Sequence, residues 1–207
     1  MGARRHFLYR YKWFIQKALM SRGYMIRKIE HTTIAPIDVF DLVLRDRMSR
    51  VSDFFFLQIG ANDGVSFDPI HPYVKEFHWR GILVEPVPYL FQSLKANYSG
   101  EPQLRFEQAA VAEQEGEVTF YAIRDAPNLP ADIRGLGSLS RDVILAHRAV
   151  LPNIDSLIEE MKVPAITVMG LIAKHGVEKL DLLQIDTEGH DYEVIKMIDF
   201  SVIKPAI

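Results

Sequence analysis

A short and almost continuous apolar segment, Phe54–Ile59, leads directly into the glycine turn Gly60–Gly64. A strand that is covered on both faces shows no alternation of polar and apolar residues, so this segment predicts a buried strand of a parallel sheet. Further short apolar segments alternate with helical stretches, and Leu180–Ile185 is the second strongly apolar one. The repeated order of strand, turn, helix and strand predicts an α/β fold, a doubly wound sheet with right-handed crossovers.

The remaining segments are assigned from their periodicity and their turn residues. Asp68 and Pro69 are predicted to cap and open a helix that runs toward His78. Arg124–Gly137, with two prolines and two glycines, is predicted to be a loop of the kind that often covers a binding site. Further strands are predicted at Ile82–Glu85, Leu104–Val111, Glu117–Ile123 and Ala165–Val168, and further helices at Pro88–Tyr98, Arg141–Val150, Ile154–Met161, Gly170–Lys174 and Tyr192–Ile198.

Charge divides the chain into two parts. Residues 1–30 hold eight basic residues and one acid, although the whole chain has a net charge of −3. Their apolar residues recur at helical spacing, which predicts a basic amphipathic segment over residues 1–30 ahead of one domain over residues 31–207. This segment either packs over an edge of the domain or lies on an anionic membrane surface through residues 4–28. The acidic remainder disfavours nucleic acid as a partner.

The composition also excludes several classes of site. The chain has no cysteine, which excludes disulfides, thiolate zinc sites and a cysteine nucleophile. No apolar segment reaches the roughly 18–20 residues that span a bilayer, and nothing near Met1 resembles a signal peptide. We therefore expect a cytoplasmic protein, with peripheral membrane contact left open.

The residues that carry chemistry are expected where strands end, because ligands of open α/β sheets bind beyond the carboxyl ends of the strands. Gly60 would permit a tight turn there, and Gly64 would let a ligand approach the backbone closely. Glu85 ends the next strand, 25 residues after Gly60. A carboxylate at that position commonly binds a ribose, so the pair predicts a site for an adenosine-containing cofactor.

The turn residues distinguish two cofactor classes. Asn62 occupies the position of the second glycine in the dinucleotide fingerprint, which is therefore not met. The charge of Asp63 would repel a pyrophosphate, whereas S-adenosylmethionine has no phosphate and carries a sulfonium and an amino group. The turn favours S-adenosylmethionine, and an NAD-dependent oxidoreductase on the same scaffold remains the alternative.

Two carboxylates, Asp186 and Glu188, follow the strand Leu180–Ile185 and should face the same cleft. Carboxylates in this place could orient a substrate hydroxyl, attract the methionine amino group or hold a divalent ion, and we assign no metal ligands. The alternative is that Asp186 or Glu188 caps the following helix.

Several motifs occur together and in order: FFLQIGANDG, GILVEPVPY, the stretch Ala109–Tyr121, GSL and LDLLQIDTEGHD. With them the chain resembles the FkbM-type S-adenosylmethionine-dependent methyltransferases from about Asp53 to the C-terminus. The resemblance implies a class I, Rossmann-like methyltransferase fold. It also implies methylation of a hydroxyl group on a sugar, a glycan or a polyketide-like acceptor.

The resemblance also implies roles for individual residues. Asp186 would lie beside the transferred methyl group, and Gly137–His147 is similar to the segment that closes over the site in this family. An alcohol needs a base to accept its proton, and we consider Asp186, His147 and His190 as candidates. The cofactor-binding residues are expected to be Gly60, Ala61, Asn62 and Gly64 at the methionine part, Glu85 at the ribose and Ala110 near the adenine, together with Asp63, Ser138, Asp186 and Glu188.

Two departures from the family pattern affect these expectations. Thr167-Val168-Met169 stands where relatives usually have Thr-Leu-Asp, so any role of that acid is absent. Relatives continue past Lys204-Pro205 through a fifth strand and a closing pair of strands, whereas this sequence stops at Ile207. We therefore expect either a fragment that lacks the closing strands or a sheet that is completed differently. A domain that binds S-adenosylmethionine without catalysis is a further alternative.

Overall fold

The computed structural model describes residues 38–126, 129 and 131–207. Residues 43–207 form one compact unit, and residues 38–42 belong to the other unit of the chain. The predicted amphipathic segment 1–30, with its proposed membrane contact through residues 4–28, lies outside the described residues.

The central sheet predicted from the apolar segments is present. Its strands are β1 (Phe55–Ile59), β2 (Arg80–Val84), β3 (Leu104–Glu107) and β8 (Leu182–Ile185). All neighbours are parallel, in the order β3-β2-β1-β8. The register aligns Ile59 with both Val84 and Ile185, so three strands end side by side. These observations confirm the predicted α/β, Rossmann-like fold.

A second sheet of four strands was not predicted from the sequence. It consists of β4 (Ala110–Val111), β5 (Gly116–Ile123), β6 (Gly137–Ser138) and β7 (Ile158–Ile166), in the order β4-β7-β5-β6. The pair of β5 and β7 is antiparallel and spans eight residues of each strand. The predicted strand Leu104–Val111 is thus divided, since β3 lies in the central sheet and β4 in the second one.

The helix predicted over Ile154–Met161 is wrong. Only one turn of 3₁₀-helix forms there, Ile154–Leu157, and β7 begins at Ile158. The apolar spacing of this segment fits a helix, but its backbone finds partners on β5, which is more than thirty residues away. Pairing with a distant strand overrides the local preference.

Along the chain, the helices alternate with the strands of the two sheets. Pro88 and Pro72 stand in the first turns of their helices, where the missing N–H leaves no intrahelical partner unsatisfied. In the parts of the chain that the structure describes, none of the helices combines the length and the apolar character that crossing a lipid bilayer demands. The helices are α1 (Val39–Arg50), α2 (His71–Phe77), α3 (Pro88–Asn97), α4 (Ala131–Arg134), α5 (Arg141–Leu145), α6 (Val168–His175) and α7 (Asp191–Lys196), and Ala146–Ala149 is a second 3₁₀ turn.

The helix predicted to have Asp68 as its cap and Pro69 as its first residue starts two residues later than expected. Asp68 Oδ1 accepts a hydrogen bond from the N–H of Ile70, and α2 starts at His71. The aspartate therefore closes a turn before the helix and is not its cap.

One face of the central sheet is covered by α6 and α7. Leu57 and Ile82 are fully buried and cluster with Leu171 of α6 and Val194 of α7. Burial of a leucine or isoleucine side chain contributes about 1.5–3 kcal/mol, so this layer fixes the sheet on which the strand ends are carried.

The amino ends of the strands are joined by Asp181, whose side chain is fully buried. Its carboxylate accepts hydrogen bonds from Arg47 at 2.6 and 2.8 Å and from the N–H of Phe55 at 3.0 Å, and it pairs with Lys179 at 3.0 Å. On the free side of β8, Ala206 and Ile207 exchange backbone hydrogen bonds with residues 180–183 in a parallel direction.

Candidate active site

A cavity opens at the carboxyl ends of the central strands, at the place predicted from the topology. The turn after β1, the end of β2, β4 of the second sheet and the loop after β8 all line it. Of the residues predicted for the site, those that line the cavity are Gly60, Ala61, Asn62, Glu85, Ala110, Asp186, Glu188 and His190, whereas Asp63, Gly64, Ser138 and His147 do not.

Gly60 brings the ends of β1 and β8 into contact. Its φ is +80°, and a Cβ at this position would lie 1.8 Å from the carbonyl oxygen of Asp186. The N–H groups of Gly60 and Ala61 both donate to the carbonyl of Val84, at 3.0 and 2.9 Å. The glycine therefore permits the turn, as predicted, and it also allows Asp186 to stand directly beside it.

The structure explains the glycine at position 64 in a way that differs from the prediction. Its φ is +73°, and a Cβ would lie 2.5 Å from Leu94 Cδ1 and 2.6 Å from the ring of Tyr98. The close approach is therefore made by side chains of α3 and its end, and not by a ligand. We leave Gly64 out of the proposed cofactor contacts.

Asp63 is used to fold the turn. Its carboxylate accepts hydrogen bonds from the N–H groups of Val65 and Ser66 and from the Ser66 hydroxyl, at 2.7–2.9 Å. Burial acts to raise the pKa of Asp63, but these hydrogen bonds hold it below its ordinary value. Since the carboxylate is turned onto its own loop, we also leave Asp63 out of the cofactor contacts. The charge that would repel a pyrophosphate must come from other acids.

Glu85 is a buried carboxylate at the cavity, with 4% of its surface exposed. Its two oxygens accept hydrogen bonds from the N–H groups of Asn62 and Val87, each at 2.9 Å. Burial raises the pKa of Glu85 to about 7, helped by the charge of Asp63 and opposed by the two hydrogen bonds. Glu85 is therefore not a solvated charge at a strand end, because it is buried and held in place beside the glycine turn.

Asp186 and Glu188 bring two more carboxylates to the cavity. Partial burial raises the pKa of both, and the charge of Asp191 adds to the effect on Asp186. Neither caps α7, because no side chain makes a capping hydrogen bond at the start of that helix. Asp191 instead accepts the hydrogen bonds from the N–H and hydroxyl of Thr187. The alternative role of Asp186 and Glu188 as caps is therefore not what the structure shows.

Ser138 holds the backbone of Glu188 and does not reach the cavity. Glu188 has a φ of +49°, an uncommon conformation for a residue with a side chain. The buried hydroxyl of Ser138 donates to the carbonyl oxygen of Glu188 at 2.9 Å. The residue predicted to touch the cofactor is thus placed to support a residue that lines the site.

The two candidate histidines differ in position. His190 lines the cavity, and its Nε2 lies 3.6 Å from Glu113 Oε1. His147 does not line it; its Nδ1 lies 3.3 Å from the carbonyl oxygen of Val143. His147 acts to lower the pKa of Glu188, which lines the cavity.

Other lining residues were not assigned from the sequence. Gln58 and Gln184 are register partners on β1 and β8, and both line the cavity. Their Oε1 atoms are buried without a hydrogen-bond partner, which is rare enough to need an explanation. A polar ligand in the cavity would give one. Two glutamines inside otherwise apolar strands are the signal that could have found them.

The charge of the lining is one-sided. Asp68, Glu85, Asp186 and Glu188 contribute carboxylates, and no lysine or arginine of the described residues lines this cavity. Such a lining fits a cationic ligand and opposes a pyrophosphate, for which Arg, Lys and helix N-termini are the usual partners. The carboxylates that line the cavity therefore fit S-adenosylmethionine. The glycine turn predicted the same cofactor through the charge of Asp63, which the structure instead turns onto its own loop.

A comparison with known families gives the same class of protein. The family described as methyltransferase FkbM domain matches residues 58–207, which is nearly three quarters of the chain and includes every residue that lines the cavity. No curated protein and no solved structure shows a significant match to the chain.

Proposed function

Since this chain belongs to the FkbM methyltransferase family, we propose that it transfers a methyl group from S-adenosylmethionine to a hydroxyl group of a sugar, a glycan or a polyketide-like acceptor. Membership makes the chain a methyltransferase. The methyl donor, the oxygen acceptor and the residues that serve them are what we add.

The observation that carries the proposal is the acidic lining without a lysine or arginine from the described residues. When bound, the cofactor would supply an electrophilic methyl group on a cationic sulfur. Glu85 would accept hydrogen bonds from the ribose hydroxyls, because its position beside the turn is fixed by Asn62 and Val87. Gly60, Ala61 and Asn62 would surround the methionine part, and Asp186 and Glu188 would favour its positive charges.

Asp186 is our choice for the group that accepts the acceptor's proton. It lines the cavity, and burial with the charge of Asp191 raises the pKa of its carboxyl, which makes it a better base than an ordinary aspartate. His190 is the second candidate because it lines the same cavity. The acceptor oxygen would have to be held about 3–3.5 Å from the methyl carbon for efficient transfer.

Calorimetric titration of the full chain with S-adenosylhomocysteine, S-adenosylmethionine and NAD⁺ tests the cofactor. We expect both sulfur compounds to bind and NAD⁺ not to bind. Binding of NAD⁺ without binding of either sulfur compound would overturn the proposal and support the oxidoreductase alternative.

Methyl-labelled S-adenosylmethionine, incubated with separated glycan and small-molecule fractions, tests the acceptor. We expect labelled product that resists mild base, as an ether does. Label that mild base releases would indicate a carboxyl ester and contradict the hydroxyl acceptor. Binding of the cofactor with no labelled product from any fraction would support a domain that binds without catalysis.

We also propose that the protein is cytoplasmic and contacts anionic membranes through residues 4–28, whose basic and apolar residues favour such a surface. Cosedimentation with phosphatidylserine vesicles should retain the full chain and lose a chain that lacks residues 1–30. Equal sedimentation of the two chains would contradict this contact.

A further inference from the structure

The cavity is open to solvent on the side of β1 and β8. Among the described residues that line it, Phe67 and Asp186 are the two exposed ones. Phe67 follows the glycine turn after β1, and 76% of its surface is exposed. Asp186 follows β8, the strand that pairs with β1. The lining residues after β2 and on the second sheet are buried or half-buried, so that part of the cavity is the enclosed one.

The backbone of Phe67 has a conformation that a bulky residue rarely adopts. Its φ is +58°, in the left-handed region. Hydrogen bonds fix the chain on both sides, because Asp63 accepts the N–H of Ser66 and Asp68 accepts that of Ile70. Strained residues of this kind persist where the surroundings determine them, and they are concentrated at functional sites. Packing does not explain a phenylalanine here, since most of its surface faces solvent.

The polar side chains that follow from Phe67 offer hydrogen-bond acceptors to the cavity. Burial raises the pKa of the adjacent Asp68, and a hydrogen bond from Gln58 is among those that oppose the shift. Gln58 is therefore close to Asp68, and its register partner Gln184 lies on β8. The Oε1 atoms of both glutamines are buried without a hydrogen-bond partner, and Gln58 is only 2% exposed. A ligand with several hydroxyl groups would supply the donors that these atoms lack.

We propose that Phe67 binds the methyl acceptor and that this acceptor is a sugar. The face of the sugar ring would pack on the phenyl ring of Phe67, and its hydroxyls would donate to Gln58 and Gln184. This inference rests on the proposed methyl transfer. Phe67 is then a residue that determines which acceptor the protein takes.

The chemistry of a sugar matches both features of the open side. The faces of a pyranose carry C–H groups that can cover an aromatic ring, and its edges carry hydroxyl donors. A polyketide-like chain would also cover the ring, but its apolar parts would leave the glutamine oxygens unpaired. The cofactor is assigned to the enclosed part of the cavity, at Glu85 and Ala110, which leaves the open side to the acceptor. The proposed base, Asp186, is exposed on that same side.

Two measurements separate the acceptor from the cofactor. The first is the initial rate of transfer from methyl-labelled S-adenosylmethionine to the carbohydrate fraction at low acceptor concentration, and the second is the Kd for S-adenosylhomocysteine by calorimetry. Phe67→Ala and Phe67→Leu should both lower the rate about tenfold, because neither side chain has a flat ring face. Phe67→Tyr should keep the rate within threefold, and all three variants should keep the Kd within twofold.

Control variants exclude an effect on folding or on any exposed aromatic residue. Phe200 is also an exposed phenylalanine, but it does not line the cavity. Phe200→Ala should therefore change neither the rate nor the Kd. Phe67→Gly should keep or raise the urea midpoint of unfolding, because glycine adopts a positive φ without strain, and it should lower the rate as Phe67→Ala does.

The outcomes distinguish this inference from the proposed function. A full rate in Phe67→Leu, or labelled product confined to apolar small molecules, would overturn the sugar assignment and leave the methyl transfer intact. A Kd for S-adenosylhomocysteine that rises in Phe67→Ala as much as the rate falls would assign the ring to the cofactor and also overturn the inference. Failure of the original chain to bind S-adenosylhomocysteine or to label any fraction would instead overturn the proposed function itself.

Discussion

Strand β8 has an aspartate at each end, and the two side chains have opposite surroundings. Asp181, at the amino end, is fully buried and receives Arg47, Lys179 and the N–H of Phe55. Burial alone would raise its pKa, but these partners hold it below the ordinary value. Asp186, at the carboxyl end, has a pKa raised by burial and by Asp191. Among the described residues, none donates a hydrogen bond to its carboxylate.

The difference shows that the amino end and the carboxyl end of the strand have different roles. At the amino end the charge is satisfied within the protein, so it contributes to stability. At the carboxyl end several carboxylates are left in a cavity with no cation from the described residues, which lowers stability until a ligand supplies the positive charge. Variants at the two ends should therefore separate stability from binding.

The largest effect is expected from Asp181→Ala. It leaves Arg47, Lys179 and the N–H of Phe55 without their common partner, and loss of one member of a buried ion pair costs about 3–5 kcal/mol. Urea unfolding should show this loss, and the Kd for S-adenosylhomocysteine should stay within twofold. Asp53→Ala, which removes an exposed pair with Arg80 at the same end, should cost at most about 1 kcal/mol. Equal costs for the two variants would break the comparison.

At the other end, Glu85→Ala should affect binding more than any other change. Hydrogen bonds to a charged group contribute about 1.5–3 kcal/mol, so the Kd for S-adenosylhomocysteine should rise roughly 10- to 100-fold in calorimetric titrations. Glu107→Ala is the matched control, because Glu107 ends the neighbouring strand β3 but pairs with Lys174 and does not line the cavity. An unchanged Kd in Glu85→Ala would show that this carboxylate does not hold the ribose.

Glu85 should also make binding and stability respond to pH in opposite directions. Its pKa is about 7 in the folded chain against an ordinary value of 4.5. The folded state therefore binds more protons between these values, and stability falls as the pH rises through this range. The ionised form accepts ribose hydroxyls best, so the Kd should fall about tenfold from pH 6 to pH 8. Glu85→Gln should remove this dependence, and a dependence that persists there belongs to another group.

The smallest change in stability is expected from Asp186→Asn. Since no described residue donates to the carboxylate of Asp186, the free energy of unfolding should change by less than about 0.5 kcal/mol. Asp181→Asn, measured in parallel by urea unfolding, should cost several times more. A large loss of stability in Asp186→Asn would mean that this end of β8 also depends on its charge.

The central sheet was predictable because its signals are local. The apolar segments that form β1, β2 and β8 are by themselves typical of strands that are buried on both faces. Pro88 likewise indicates where α3 begins. The second sheet depends on pairing between β5 and β7 across more than thirty residues. The apolar spacing of the segment around the start of β7 predicts a helix over Ile154–Met161, and this prediction is wrong.

The same distinction applies to the site. The positions of Gly60, Glu85 and Asp186 follow from strand ends that meet at one edge, so topology alone brings them together. The uses of Asp63 and Ser138 depend on which backbone group each side chain meets, and the sequence does not contain that information. Phe120 also lines the cavity, and it was missed because it lies on β5 of the second sheet, whose pairing was not predicted.

The contact between Gly60 and the carbonyl of Asp186 affects how this enzyme could be redesigned. With space for no more than a hydrogen atom at position 60, the turn and the loop after β8 keep one fixed spacing. Alteration of donor preference should therefore succeed through half-buried lining residues such as Asn62 or Glu188, whose backbones already adopt a positive φ with a side chain present. In most variants from a library that randomises position 60, the turn after β1 and the loop after β8 should both be displaced.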